Sequence, residues 1–362
     1  MFLRNRDPTQ QGDVETEYVS MLNRNRVRII IIAVLAFVAA FGSLFVSQID
    51  SMTPQHVLTV LRSHLFGGET AEKVYDLVVW NYNVPRALLG LAVGSSLAVG
   101  GAIMQSILRN PLATPYTTGV SAGASMGASL YIYLNIALIP TGGYISSIAI
   151  NSIVFALIPT AAILLVSRQK HITPTTMILA GIAIMYIFSA GTSLLMLIMD
   201  PENVQQAYEW GVGSLGRGSW DNVWYVILSV VPCMFILQLL SKQVNMMNSG
   251  NRSAQSMGVD VRLIRNISLI VIALMTAVTV SITGGIGFMG LVAPHISRMI
   301  VGSDLKYLLP CSAALGALIL LVSDTVCRIV VPEGIPVGVI TAVIGGPIFV
   351  LLLVKGSKKV WF

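Results

Sequence analysis

Long apolar runs recur from one end of the chain to the other, and no other feature limits the possible folds so sharply. A helix needs about 20 consecutive apolar residues to cross the hydrocarbon core of a bilayer. Runs of that kind lie near residues 28–46, 84–107, 116–135, 144–166, 175–199, 223–240, 263–282, 287–301, 307–330 and 337–354. The eighth run is short, follows a glycine-rich break and contains Pro294. The chain is 55% hydrophobic and 10% charged, against roughly 25% charged in soluble domains. The expectation is an all-α polytopic membrane protein of about ten transmembrane helices. It divides into a cytoplasmic N-terminal segment, 1–27, and one transmembrane domain, 28–362, with no soluble domain.

Arg24, Arg26 and Arg28 precede the first run much as basic residues precede a secretion signal. The hydrophilic stretch before them and the lack of a small-x-small cleavage site favour an uncleaved first span. With a cytoplasmic N-terminus, seventeen of the 22 basic residues fall on the inner side. The others, Arg62, Lys73, Arg86, Arg217 and Arg328, fall outside. That bias predicts that both termini are cytoplasmic, and Trp80, Trp210, Trp220 and Trp224 then gather at the outer interface as belt residues should. Scattered among membrane joints, the basic residues form no stripe for nucleic acid. With ten spans, spans two to five and seven to ten run in opposite directions, which points to an inverted repeat.

Gly90, Gly94, Gly100 and Gly101 in the second run, and Gly119, Gly123 and Gly127 in the third, have the spacing that lets helix backbones approach closely. Gly284, Gly285, Gly287 and Gly290 interrupt an apolar run, where broken backbone must lie inside protein or beside a water-filled cavity. Asp324 and Arg328 stand four residues apart and predict a structural ion pair. Cys233, Cys311 and Cys327 lie singly in apolar runs, and His295 has no ligand-type neighbour in sequence, so no metal cage is indicated. No phosphate-cradling GxxxxGK[ST] is present, and no catalytic constellation is visible. The chain is not expected to be an enzyme. The polar stretch 241–261 holds a short helix ended by Gly258, which either covers the bundle or docks a cytoplasmic partner.

Several segments together carry a resemblance: Val84-Pro-Arg-Ala-Leu-Leu-Gly90, Gly100-Gly-Ala-Ile-Met-Gln105, Arg109-Asn-Pro-Leu-Ala-Thr-Pro115 and Gly119-Val-Ser-Ala-Gly-Ala124 in one half. In the other half are Gly284 through Pro294-His295 to Arg298, the Asp324–Arg328 pair, Pro336-Val-Gly338 and Gly345-Gly-Pro347. The sequence resembles the permease subunits of binding-protein-dependent, ATP-driven importers for ferric siderophores, haem and vitamin B12, often called the FecCD type. The resemblance covers nearly the whole chain after residue 28.

It implies a homodimer in the inner membrane of a prokaryote, with a path between the two copies. Two cytoplasmic ATPase subunits would hold ATP and magnesium, and an external substrate-binding protein would cap the outer face; this chain itself would bind no cofactor. Arg86 and Arg328 match positions that dock the binding protein, whereas Asn83 stands where relatives often carry arginine. Asn110, Leu112 and Thr175 match an inner gate. Arg252, Ser253, Ala254, Gln255, Ser256, Met257 and Gly258, within a segment at about 247–259, match the helices that couple to the ATPase. A ferric siderophore is the first expectation for the cargo, with haem or vitamin B12 as alternatives. An ion-coupled secondary carrier, with Asp324 as its coupling carboxylate, ranks lower.

Overall fold

The computed structural model describes residues 8–47, 49, 51–68, 72–139, 143–169, 173–330 and 335–355. Residues 1–7 of the expected N-terminal segment, and 356–362 at the other end, lie outside the described residues. Among the described residues the elements are helical, apart from one isolated bridge. In order they are α1 (Pro8–Ser43), α2 (Pro54–Phe66), α3 (Lys73–Asp76), a π-helical turn (Leu77–Asn83), α4 (Val84–Leu108), a 3₁₀ turn (Pro115–Thr118), α5 (Val120–Leu134), α6 (Tyr144–Ser167), α7 (Pro174–Ile198) and α8 (Pro201–Gly211). After a 3₁₀ turn at Leu215–Arg217 come α9 (Trp220–Leu239), α10 (Ser241–Asn248), α11 (Asn251–Ser256), α12 (Val261–Thr283), α13 (Met289–Val301), α14 (Leu305–Val330) and α15 (Val337–Lys355).

Each of the ten apolar runs becomes a helix, but seven helices among the described residues are long and apolar enough to cross a membrane. The three that fall short are α5, α13 and α15, and for the first two the cause is local. Helices α5 and α13 have only 15 and 13 residues, because each starts after a break inside the bundle. Two boundaries also differ from expectation. Helix α1 runs unbroken through residue 28, and Asn25 is buried against α13, donating to Val301 O at 3.0 Å. The second span begins upstream of Val84, since helix continues from Lys73 to Leu108 through the π turn.

Two blocks of four helices, α4–α7 and α12–α15, share one plan: a long helix, a break, a short helix and two further helices. Each short helix is entered through a residue with positive φ, Gly119 at +84° and Phe288 at +64°. Packing is reciprocal as well. Helix α4 packs on α14, and its counterpart α12 packs on α6; α13 packs on α4, and α5 on α12. The two leading helices run antiparallel, with Ser96 Oγ 3.2 Å from Thr279 Oγ1 and Gly100 facing Ile272 and Met275. The blocks are therefore inverted with respect to each other, as transporter repeats are.

Small residues set the tightest crossings. A Cβ at Gly94 would lie 2.4 Å from Gly316 O, and one at Gly316 would lie 2.3 Å from Gly94 O, so α4 and α14 touch backbone to backbone. Gly123 and Gly127 meet the carbonyls of Phe155 and Asn151 on α6 in the same manner. Lipid chains are as apolar as leucine, so this contact, together with buried hydrogen bonds, holds such helices together.

Candidate functional site

The functional residues fall in three layers. At one end of the bundle, Trp80, Trp220 and Trp224 form a chain of rings with centroids 5.2 and 6.1 Å apart. Trp220 Nε1 donates to Trp80 O at 2.8 Å. Just beneath this aromatic end, Arg86 grips Asp324 with two parallel hydrogen bonds, Nε to Oδ2 at 2.9 Å and Nη2 to Oδ1 at 2.7 Å. The fork-on-carboxylate geometry is the strong form of ion pair. The Asp324 side chain is 3% exposed, so its charge depends on its partners.

Arg328 lies 3.5 Å from the same carboxylate, the pair that i,i+4 spacing predicts. It is the longer contact; the two short ones go to an arginine 238 positions away. Arg328 is otherwise spent on Ser43 O at 2.7 Å, Val46 O at 3.2 Å and Asn83 Oδ1 at 3.2 Å. Asn83 in turn donates to Leu44 O at 3.1 Å. The two arginines expected to face an external partner are thus turned into one network joining the end of α1, the start of α4 and α14. Arg86 keeps 23% of its side chain exposed and Arg328 keeps 8%. The π-helical turn, one residue wider than an α-turn, ends at Asn83 and delivers its side chain to this network.

The middle layer is where the two blocks' breaks meet. Tyr116, from the 3₁₀ turn, accepts the Ile286 N–H on its hydroxyl at 2.9 Å. Leu97, Thr114, Pro115, Gly287, Phe288 and Leu291 line the adjoining cleft of about 220 Å³. The second break is pinned from the aromatic end. Gly213 N donates to Gly285 O at 3.1 Å, Ser214 N to Thr283 O at 2.8 Å, and Gly338 N to Gly213 O at 2.8 Å. Gly284, at φ +72°, leaves only 2.2 Å between a would-be Cβ and Trp210 O. Nearby, Arg217 donates to Trp210 O at 3.2 Å, and burial lowers its pKa while Glu209 partly offsets that. The broken backbone is satisfied by protein at every point named here, as membrane depth requires. His295 is 1% exposed on α13, and no metal-holding group of His, Cys, Asp or Glu occurs among the described residues.

At the opposite, basic end, the expected coupling segment, 247–259, takes in the last residues of α10 and the whole of α11, and Gly250 at φ +121° and Gly258 at φ +84° bound α11; α10 begins earlier, at Ser241, and continues into the segment. Ala254 is its buried anchor, while Arg252, Ser253, Gln255, Ser256, Met257 and Gly258 are exposed. Asp260 caps α12 behind it, accepting from the backbone N–H groups of Arg262 and Leu263 at 3.0 Å each. Asn110 shapes the turn after α4: its Oδ1 accepts Leu112 N–H at 2.8 Å, and its carbonyl accepts Ala113 N–H at 3.1 Å. Leu112 projects with 48% exposure. Thr175 is exposed in the first turn of α7. Arg109 stands in a motif that carries the resemblance but has no role by local pattern, and neither have Tyr116 and Asn245, because the partners of all three lie far along the chain.

An inverted bundle of this kind, with paired breaks at its centre, defines a multi-pass membrane permease. The chain belongs to the FecCD transport family, whose model matches residues 28–355. It is 37% identical over 291 residues to the hemin transport system permease protein HmuU of Yersinia pestis, covering 78% of this chain and 84% of that one. It is 33% identical over 342 residues to the Fe(3+)-citrate import system permease protein YfmE of Bacillus subtilis, covering 93% and 97%. A solved structure described as an inward-facing ABC transporter of the metal-chelate type superimposes with a TM-score of 0.79 at 29% identity, covering 90% of this chain and 98% of that one. This chain is a multi-pass protein of the cell membrane and the permease of an ABC importer.

Proposed function

We propose that this permease carries a ferric siderophore or a related iron chelate into the cytoplasm, as a homodimer driven by two ATPase subunits and fed by an external binding protein. The observation that carries this reading is the meeting of two broken segments at the Tyr116–Ile286 contact, beside a mostly apolar cleft. A chelate arrives with its metal already wrapped, so a weakly adhesive passage serves it better than a ligand cage. The names of the relatives support iron, one being a Fe(3+)-citrate system and another a hemin system.

In this reading the path runs between two copies, against the unpartnered face of α7. That face carries Thr175, Ser189 and Ser193 beside Leu179, Tyr186 and Leu197, a mixture suited to passage as well as to lipid. The basic end is cytoplasmic in this reading, and both termini with it, supported by the excess of arginine and lysine in the joints on that side. The ATPases bind Arg252, Ser253 and Gln255 to Gly258, exposed around the buried anchor Ala254, and ATP with magnesium stays on them. Asn110, Leu112 and Thr175 form the inner gate. Arg86, with part of its side chain exposed, is the better placed of the two arginines to meet a carboxylate of the binding protein; such rim charges set encounter rate and register.

ATP-dependent uptake of radiolabelled ferric siderophore, haemin and cobalamin into proteoliposomes, with the cognate ATPase and binding protein, tests the proposal. Uptake of the iron chelate that stops without ATPase is the expected result. Preference for haemin or cobalamin would replace the cargo, and uptake driven by an ion gradient alone would overturn the reading.

A further inference from the structure

We infer that Arg109 is the positioning residue that ties the coupling segment to the gate turn, passing movement of α10 and α11 to residues 110–113. The inference rests on the proposed roles of those two segments and adds the part that joins them. Arg109 closes α4 in the left-handed conformation, at φ +45° and ψ 42°. A side chain with a Cβ enters that region at a steric cost, so the position is held by its surroundings.

Its guanidinium supplies the holding contacts. Nη2 donates to Met247 O in the last turn of α10 and, at 3.2 Å, to Asn251 Oδ1 at the first residue of α11. One side chain therefore bridges the joint between the two coupling helices. The Met247 carbonyl also sits at a helix C-terminus, where the partial negative charge favours a cation. On the other side of Arg109 the backbone passes directly into the gate turn, which is stiff: Asn110 N donates to Gln105 O at 3.1 Å, and Asn110 itself holds Leu112 and Ala113. A stiff turn joined to a bridged arginine moves as one body with the coupling helices.

Helix α10 has a second attachment that leads elsewhere. Asn245 Nδ2 donates to Asp304 Oδ1 at 2.7 Å, and Asn245 Oδ1 accepts Leu305 N–H at 3.1 Å. This joins α10 to the turn between α13 and α14, in the other inverted block. The coupling segment thus bridges both blocks, with Arg109 on the side of the gate turn.

The test uses the full permease with its ATPase in proteoliposomes, carrying Leu112→Cys as a reporter. The rate of maleimide labelling is read with and without ATP, magnesium and vanadate. With Arg109 present, nucleotide should change the labelling rate by about tenfold, within the usual range for coupled sites. In Arg109→Ala the change should fall to less than about twofold, while ATPase still copurifies and hydrolyses ATP. Asn251→Ala, which leaves Arg109 in place and removes one acceptor, should give an intermediate response, as should Arg109→Lys. An undiminished response in both Arg109→Ala and Asn251→Ala overturns the inference and leaves the gate assignment standing. No response even with Arg109 present overturns the gate assignment, and the inference with it.

Discussion

The two ends of the bundle solve the same problem, holding arginines beside a membrane, in opposite ways. At the aromatic end, Arg86 and Arg328 converge on one buried carboxylate, and the network closes on itself through Asn83. At the basic end, Arg109 is held by a backbone carbonyl and a neutral amide. A buried charge pair is costly to break, because separation leaves an uncompensated charge in low dielectric. The Arg109 bonds, each with one charged partner, are worth about 1.5–3 kcal/mol, enough to hold Arg109 to the coupling helices, yet no buried counter-charge is stranded when that end shifts against the rest of the bundle. The comparison teaches that the aromatic end is built to stay assembled through a cycle, and the basic end to rearrange.

The sharpest attempt to break that contrast is Asp324→Ala. Removing the carboxylate strands the nearly buried guanidinium of Arg328 and the partly exposed one of Arg86 without their counter-charge, and stability should fall by about 3 kcal/mol, the low end for a broken buried pair because water still reaches Arg86. Thermal unfolding in detergent would register this as a large drop in Tm, and a negligible change would sink the closed-network account. The crossing between the ends comes next. Gly94→Val forces a side chain into the backbone of Gly316 and Ala317 and should cost about 1–3 kcal/mol as overpacking; it lowers Tm without altering the behaviour of either end.

Smaller effects sharpen the picture. Trp220→Phe keeps the ring but removes the bond to Trp80 O, for a loss of about 1 kcal/mol by the same measurement. Asp260→Ala removes the cap of α12 at the basic end and should likewise cost about 1 kcal/mol. That loss should appear mainly as faster amide hydrogen exchange over residues 261–264, confined to the end held by neutral contacts. Exchange accelerating equally around Arg86 would show that the two ends are one cooperative unit.

Much of the membrane architecture was legible because the bilayer imposes it. Ten apolar runs gave ten helices, and Gly94, Gly101, Gly123 and Gly127 of the second and third runs lie at backbone crossings as their spacing implied. The opposed direction of the two blocks followed from counting spans. The short helix before Gly258 was visible from its polar composition and terminal glycine. Less legible were the shortness of α5 and the partnership of Asp324, for one reason. Neither depends on local pattern: α5 starts where the tertiary break ends, and Asp324 takes its short contacts from Arg86 on another helix.

The sequence by itself determined a helical membrane bundle, its breaks and its family, because hydropathy, glycine spacing and ordered motifs are properties of neighbouring residues. Only the tertiary structure decided that Arg86 closes on Asp324, that Tyr116 joins the two breaks, and that Arg109 reaches the coupling helices. Those contacts span 238, 170 and 142 positions of chain. Partners so distant are chosen by which helix faces which, and that choice comes from packing rather than from any local preference of the residues concerned.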